Sequence, residues 1–429
     1  MGLNLNGSMS RLRCNDGVAP ARSAWSDWRG ATGFALFVSL CCSCGENTAR
    51  LIFPAPTEQA DAGDAGKVTS ANGTPIGYAT VASSGVQTTT GGGSLVATVA
   101  SSCADLKAAL EDAAPRVVVI NSPIRCNLSN PATVSTCKRA CDSNTNDPNR
   151  NVYRVLPAGA TDCSAISGWS ASDPIESMVR DETVINVASN KTLLGQGAEA
   201  SIAGATLYIR QQSNIIIQNL AFSDVNPKLL EAGDAVTIDE SHHVWVDHCS
   251  FSRISDGFVD AINGSQSITL SWNRFEGADA DACAGQHNYA STLEGASVTY
   301  HHNFFDHTLG CSPKLGSGSR VHLFNNYWLS ILYYSIQVAS ESQAIIEANE
   351  FDDAKSPYYA SDNCFEDTSP CGISVPESSP NVFEGISAGE THETGGVTEP
   401  LPYDVGTYQV QLAAEAKPGI MASAGHSLP

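Results

Sequence analysis

The amino-acid sequence predicts an all-β chain wound as a single-stranded right-handed parallel β-helix, and three observations carry that reading. Six nine-residue segments begin at Asn214, His243, Ser267, Ser297, Arg320 and Gln343, with start-to-start spacings of 29, 24, 30, 23 and 23 residues. Positions two and four of each are apolar, the alternation of a strand. Position nine is always aromatic (Phe222, Phe251, Phe275, Phe305, Trp328, Phe351), and position seven is Asn or Cys in all but the first segment (Cys249, Asn273, Asn303, Asn326, Asn349). No amphipathic helices separate the segments. One such coil cannot bury its own inner face, so coils must stack into a solenoid, and an Asn at one bend of each can form a hydrogen-bonded ladder.

The remaining elements follow in chain order. Residues 1–45 read as a signal or targeting region: Arg11, Arg13, Arg22 and Arg29 precede an apolar run from Ala31 to Leu40, too short for a permanent span, and then Cys41, Cys42, Ser43, Cys44 and Gly45. Two outcomes are open, a cleaved secretory signal or a lipoprotein-type signal with Cys44 as the lipidated residue. Residues 46–76 are rich in Ala, Gly, Asp, Pro and Thr and read as a flexible linker. The β-helix is expected over 77–385, with the helical spacing of Ala104 to Leu110 capping its open first coil. Cys126, Cys137, Cys141 and Cys163 lie in a polar insertion where two internal disulfides are expected. Residues 386–429 read as a C-terminal tail packed outside the solenoid.

Composition narrows the function. The chain of 429 residues has 23 basic and 45 acidic side chains and a formal net charge of −22. That excludes nucleic acid, whose phosphates demand Lys and Arg, and argues more weakly against a very highly charged polyanion. With 42% hydrophobic residues the chain can build a sizeable core, and 14 scattered cysteines point to disulfides and export.

On this repeat several segments resemble the pectate/pectin lyase family: GYATVASSGVQTTTGGG, CADLKAAL, SNKTLLGQG (Ser189–Gly197), VNPKLLEAGDAVTIDES (Val225–Ser241), VWVDHCSFS (Val244–Ser252), YHHNFF (Tyr300–Phe305) and GCSPKLGSGSRVHLFNNYW (Gly310–Trp328). VNPK, Cys283, the SPK stretch and the Cys364/Cys371 pair resemble the pectin lyase branch, whereas Asp256-Gly-Phe-Val-Asp260 resembles the calcium site of the pectate branch. The resemblance implies secretion, a monomer without a partner protein, and cleavage of pectin or polygalacturonate by β-elimination. A base removes the C5 proton, the developing enolate is stabilised, and the C4 oxygen leaves.

The family's calcium ligands map onto Asp234, Asp256 and Asp260, with Ala232 in the place of a fourth, so Ca²⁺ is an expected cofactor held with reduced charge. The basic residues map poorly. Ala280 stands where the pectate branch has Lys, Cys311 where the family has its catalytic Arg, and Gly316 where the pectate branch has a second Arg. Cys311 is read either as a replaced base position or as half of a disulfide with Cys283. Lys314 becomes the candidate base, and Lys228, His301 and Arg320 the candidate substrate contacts. His301 and His302, adjacent on a strand, should face opposite ways. The alternative reading is a catalytically impaired β-helix that binds polyuronide without cutting it.

Overall fold

The computed structural model describes residues 73–426 except 129, 142–150, 284, 288, 340, 362–363, 365–370, 387–399 and 405–409. The signal region with Cys44, and all but the last residues of the expected linker, therefore lie outside the described residues. Among the described residues the chain winds as a right-handed parallel β-helix with three parallel sheets of ten, eight and nine strands. One coil runs Val236–Asp239 in the eight-stranded sheet, His242–Asp247 in the ten-stranded sheet and Ser250–Ile254 in the nine-stranded sheet. The next strand of the eight-stranded sheet, Val259–Ile262, then pairs in register on the first.

Alternation decides which side chains enter the core. Val244 and Val246, Ile268 and Leu270, Val298 and Tyr300, and Val321 and Leu323 all point inward and are buried in one continuous cluster. Their intervening neighbours face out. At the bend into the nine-stranded sheet one residue per coil takes a left-handed φ: His248 (49°), Trp272 (52°), His302 (55°), Asn325 (50°) and Ala348 (51°). The next residue turns inward and carries the ladder. Asn273, Asn303 and Asn326 each donate Nδ2 to the Oδ1 of the next rung at 3.0 Å, and Asn349 reaches Asn381 at 3.1 Å. Each amide also donates to a buried carbonyl of the preceding coils, such as Asn326 to Tyr300 O at 3.0 Å, so the bend's polar groups are satisfied inside the protein. Cys249 holds the first rung as a buried free thiol whose ionisation burial disfavours.

Two residues on, the aromatic rings stack coil upon coil. Phe222, Phe251, Phe275, Phe305, Trp328, Phe351 and Phe383 follow one another with centroids 4.6–5.6 Å apart. Trp328 is thus a core residue, while Trp272 stacks outside between His248 and His302. Trp245 packs with Ala79 and Ile216 on the outer face of the ten-stranded sheet.

The helix Cys103–Glu111 closes the first coil, its amide at Asp105 capped by the Ser102 hydroxyl at 3.1 Å, and it buries Leu106 and Leu110. Three antiparallel strands, Ala132–Ala140, Asn151–Val155 and Ile175–Arg180, form the insertion. Its disulfides differ from the expectation: Cys137 bonds Cys163 within it, but Cys126 bonds Cys103 of the capping helix and Cys141 bonds Cys283, 142 residues away. That excludes the Cys283–Cys311 bond. Cys364 bonds Cys371. The tail contains a helix, Ala413–Ser423, whose Ala416 and Ile420 bury Phe304 and Tyr327 of the nine-stranded sheet.

His301 and His302 do not alternate as a strand would have them. The strand ends at His301, which faces outward on the ten-stranded sheet, and His302 already occupies the left-handed bend. Their Nδ1 atoms lie 3.0 Å apart, and the His302 Nε2 meets Gln411 Oε1 of the tail at 3.3 Å. Burial, reinforced by neighbouring imidazoles, lowers both pKa values, that of His302 to about 4.

Two predictions follow from this packing. Asn326→Ala leaves buried amide groups of three coils without partners, so urea denaturation should show roughly 2–4 kcal/mol lost at unchanged m. Because both imidazoles resist protonation when folded, the unfolded chain binds those protons first as pH falls below 6.5, the ordinary value. Stability should then drop by about 1.4 kcal/mol per pH unit per histidine until about pH 4 for His302, and His302→Gln should flatten the profile.

Candidate active site

The eight-stranded sheet is the face on which the longest and most varied loops arrive, and its strands are short. Val259–Ile262, Thr292–Leu293, Lys314–Leu315, Ile336–Val338 and Tyr358–Ala360 stack in turn. Val259, Ala261, Leu293, Leu315, Ile336 and Val338 belong to the core, so the alternate positions point outward. Strand register puts Tyr208, Thr237, Asp260, Thr292, Lys314, Gln337 and Tyr359 in one outer row. Lys314 therefore stands on the same face as Asp260, two strands on, about 10 Å between Cα atoms. It is 6% exposed.

The acidic residues gather where loops enter this sheet, and Gly257 is their meeting point. Asp234 is 8% exposed; its Oδ1 accepts the Gly257 amide at 3.0 Å and its Oδ2 the Thr237 hydroxyl at 2.5 Å. Asp260 Oδ1 accepts the Thr292 amide at 2.9 Å, and its carboxylate fills the space beside Gly257, where a Cβ would come within 2.2 Å of Oδ1. Asp256 precedes Gly257. Its carbonyl accepts the Nε2 proton of His287 at 2.7 Å, which Tyr289 O shares at 2.9 Å. His287 is buried, which lowers its pKa and keeps it neutral, and its ring lies against Phe258 at 4.5 Å. It ties the Asp256 loop to the loop 277–291, which the Cys141–Cys283 bond anchors to the insertion. Sequence reading passed over His287, and only its ADACAGQHNY context hinted at a loop of consequence.

The structure gives a steric reason at one of the positions that lack the expected cations. Gly316 cannot carry a side chain, because a Cβ there would lie 2.5 Å from Leu293 O. Ala280 is exposed between Asp279 and Asp281, and these two face Arg253 at 3.6 and 3.1 Å; Arg253 also pairs Asp224 at 2.8 Å. Cys311 is disulfide-bonded, though not to Cys283; it is fully buried at a left-handed φ of 48°, and its Sγ lies 3.0 Å from Tyr334 Oη of the next coil. Lys228 is exposed on the loop that leads to Asp234. Two expected substrate contacts are placed elsewhere. Arg320 spends its guanidinium on the carbonyls of Gly318, Ser319 and Glu341 at the turn into the ten-stranded sheet, and His301 lies on that sheet's outer face, stacked on Phe324.

Oxygen-only donors suit a hard cation such as Ca²⁺. Asp234 and Asp260 flank one glycine with Asp256 beside them, so the donor chemistry fits, although the three do not bring three carboxylate oxygens within 4.8 Å of one another. Among the described residues Glu350, Asp352 and Glu384 do so, but there Lys417 of the tail helix occupies the middle, ion-paired to all three.

The pectate lyase family model matches residues 155–416. "Probable pectin lyase F-2" of Aspergillus terreus is 31% identical over 370 residues, covering 82% of this chain and 73% of its own. "Probable pectin lyase F" of Aspergillus flavus is 32% identical, covering 72% and 70%. Among solved structures, a Bacillus sp. pectate lyase in complex with trigalacturonate shares the fold with a TM-score of 0.55 at 21% identity, over 82% of this chain and 98% of that one. A Bacillus subtilis pectate lyase variant does so with 0.57 at 19%, over 85% and 100%.

Gly257→Ala tests the arrangement. The new methyl must displace the Asp260 carboxylate, so the variant should remain folded by circular dichroism yet lose at least ten-fold in turnover. Gly257→Ser should do the same.

Proposed function

The chain belongs to the pectate lyase family, and from that premise we propose that it is an exported lyase that cleaves pectin or polygalacturonate by β-elimination. The observation that carries the mechanism is the common outer row of Asp260 and Lys314. Substrate laid along the row brings a uronate C5 proton between the acidic loops and the amine. Lys314, in its neutral form, takes that proton; the electrons form the C4–C5 double bond and the C4–oxygen bond breaks. Lys314 serves where position 311 holds a buried, disulfide-bonded cysteine and position 316 admits no side chain. Asp234, Asp256 and Asp260 are the residues that would hold Ca²⁺. The bound ion supplies positive charge to a free uronate carboxyl, which lowers the barrier to losing the neighbouring proton.

The shortage of groove cations supports a preference for methyl-esterified pectin, whose neutral carboxyl needs less charge compensation. Four disulfides among the described residues fit an oxidising compartment, and anchoring through a lipidated Cys44 is our reading of the leader. No described helix is long and apolar enough to cross a membrane.

Purified protein should release unsaturated uronide, read by its ultraviolet absorbance, faster from esterified pectin than from polygalacturonate, with Ca²⁺ raising the second rate more than the first. Lys314→Met should lower turnover at least 100-fold without changing the melting temperature. Binding of pectin in affinity electrophoresis without any product would instead establish a polyuronide-binding protein.

A further inference from the structure

The three-stranded insertion reaches the acidic centre from two sides. The Cys141–Cys283 bond is one, since it holds the loop that His287 joins to Asp256. The other is a buried ion pair. The insertion strand Asn151–Val155 lies against the loop 226–234, which carries exposed Lys228 and ends in Asp234. Arg154 bridges Leu230 in parallel register, and Leu230 N donates to Tyr153 O at 2.7 Å. The Arg154 guanidinium pairs through Nη2 with the Glu231 carboxylate, the two side chains being 4% and 8% exposed. Its Nη1 is buried with no hydrogen-bond partner among the described residues. Such a pair is a poor source of stability, because desolvating both charges offsets their attraction and the unsatisfied amine adds to the cost. What it supplies is direction: one side chain of the insertion fixes one side chain of the loop, three residues before Asp234.

From Glu231 the path to the acidic residues is short and closed by hydrogen bonds. Glu231 takes a left-handed φ of 54°, and its amide donates to Ser255 O at 3.2 Å. Ala232 N donates to Ser255 Oγ at 2.7 Å, and that hydroxyl donates to Leu229 O at 2.7 Å. Asp256 N donates to Gly233 O at 3.1 Å, and Gly257 N to Asp234 Oδ1 at 3.0 Å. Across the neck of the loop, Asn226 Nδ2 donates to Ala232 O at 2.8 Å, while Asn226 Oδ1 accepts the amide of Asp181, just past the insertion's last strand, at 2.8 Å. The loop 226–234 and the segment 255–257 are thus zipped into one piece, and the insertion grips that piece at Asn226 and at Glu231. We propose, on the strength of the elimination reading above, that Arg154 is a positioning residue for the reaction: through Glu231 it holds the zipped loops so that Asp234 and Asp256 stay beside Asp260 at Gly257. Arg154 acts at one remove, since its guanidinium is buried against Glu231, and it is Asp234 and Asp256 that the substrate or its counter-ion meets.

The double variant Arg154→Met/Glu231→Leu is the test, because it removes both charges, keeps apolar bulk between the loops and should melt close to wild type. Arg154→Met alone strands the Glu231 carboxylate and should melt lower. In the double variant, amide hydrogen exchange across 226–240 and 255–260 should speed up about ten-fold or more, while the core strand His242–Asp247 keeps its protection. Its kcat on methyl-esterified pectin should fall about ten-fold or more, the cost of misplaced acidic groups. Wild-type protection of both segments, whatever the rate, overturns the role of Arg154. Lost protection with unchanged kcat overturns it too, and either result in a protein that still yields unsaturated product leaves the lyase reading standing. A wild type that yields no such product from any pectin overturns both. Should the double variant fold poorly, Arg154→Gln/Glu231→Gln, uncharged and too short to span the pair, takes its place with the same two changes expected.

Discussion

Parallel hydrogen bonding between successive coils tolerates one register, and the buried amide ladder enforces it. A slip of one residue would turn every inward Val, Ile and Leu outward and would also strand each ladder amide against apolar rings. Because Asn273, Asn303, Asn326 and Asn349 each satisfy the rung before and the carbonyls beneath, the penalty for a slip is paid in several coils together. The stacked column from Phe222 to Phe383 runs two residues away and is locked by the same constraint. Everything the outer faces do depends on this: side chains from different coils, 20 or more residues apart in sequence, arrive in straight rows.

The three faces use that regularity differently. The nine-stranded sheet takes the tail helix through Lys417, Ala416 and Ile420. The ten-stranded sheet is covered by both ends of the described chain, where Tyr403 Oη reaches Thr299 Oγ1 and His322 Nδ1, both at 2.8 Å, and the Tyr78 amide reaches the same Thr299 hydroxyl at 3.0 Å. The eight-stranded sheet keeps Asp260, Thr292, Lys314 and Gln337 in an outer row beneath variable loops. Its short strands are a consequence: where loops carry function, the regular part of each coil shrinks to the two or three residues that hold register.

Much of this was legible in the sequence because a strict period leaves strict marks. The ladder and the aromatic column were readable as positions seven and nine of the repeat. Their last rung, Asn381 with Phe383, was not, although the same Asn-x-Phe pattern is there, because the strand before it, Gly372–Ser374, offers a single core apolar residue and no alternation. The tail helix was hidden by Pro418 and Gly419 within it, and tertiary contact overrides that local preference. At the candidate site, motif and position in the chain could name the acidic residues and Lys314, and strand register sets Asp260 and Lys314 in one outer row. His287 could not be named, since a side chain that ties one loop to another leaves no spacing to read. His301 and Arg320 have chemistry that suits a sugar, but alternation and turn geometry place them on other faces.

The bond between Cys141 and Cys283 sets a timetable for maturation. A chain delivered from its N-terminus exposes Cys141 long before its partner 142 positions on, and the segment between them includes most of the coils that bring the two together. Until those coils have wound, the earlier thiol sits beside Cys137 and Cys163 with only wrong partners in reach. Correct closure is thus a report that half of the solenoid is complete, and a cell that makes this protein depends on thiol exchange to keep the early pairings reversible until that report can be given.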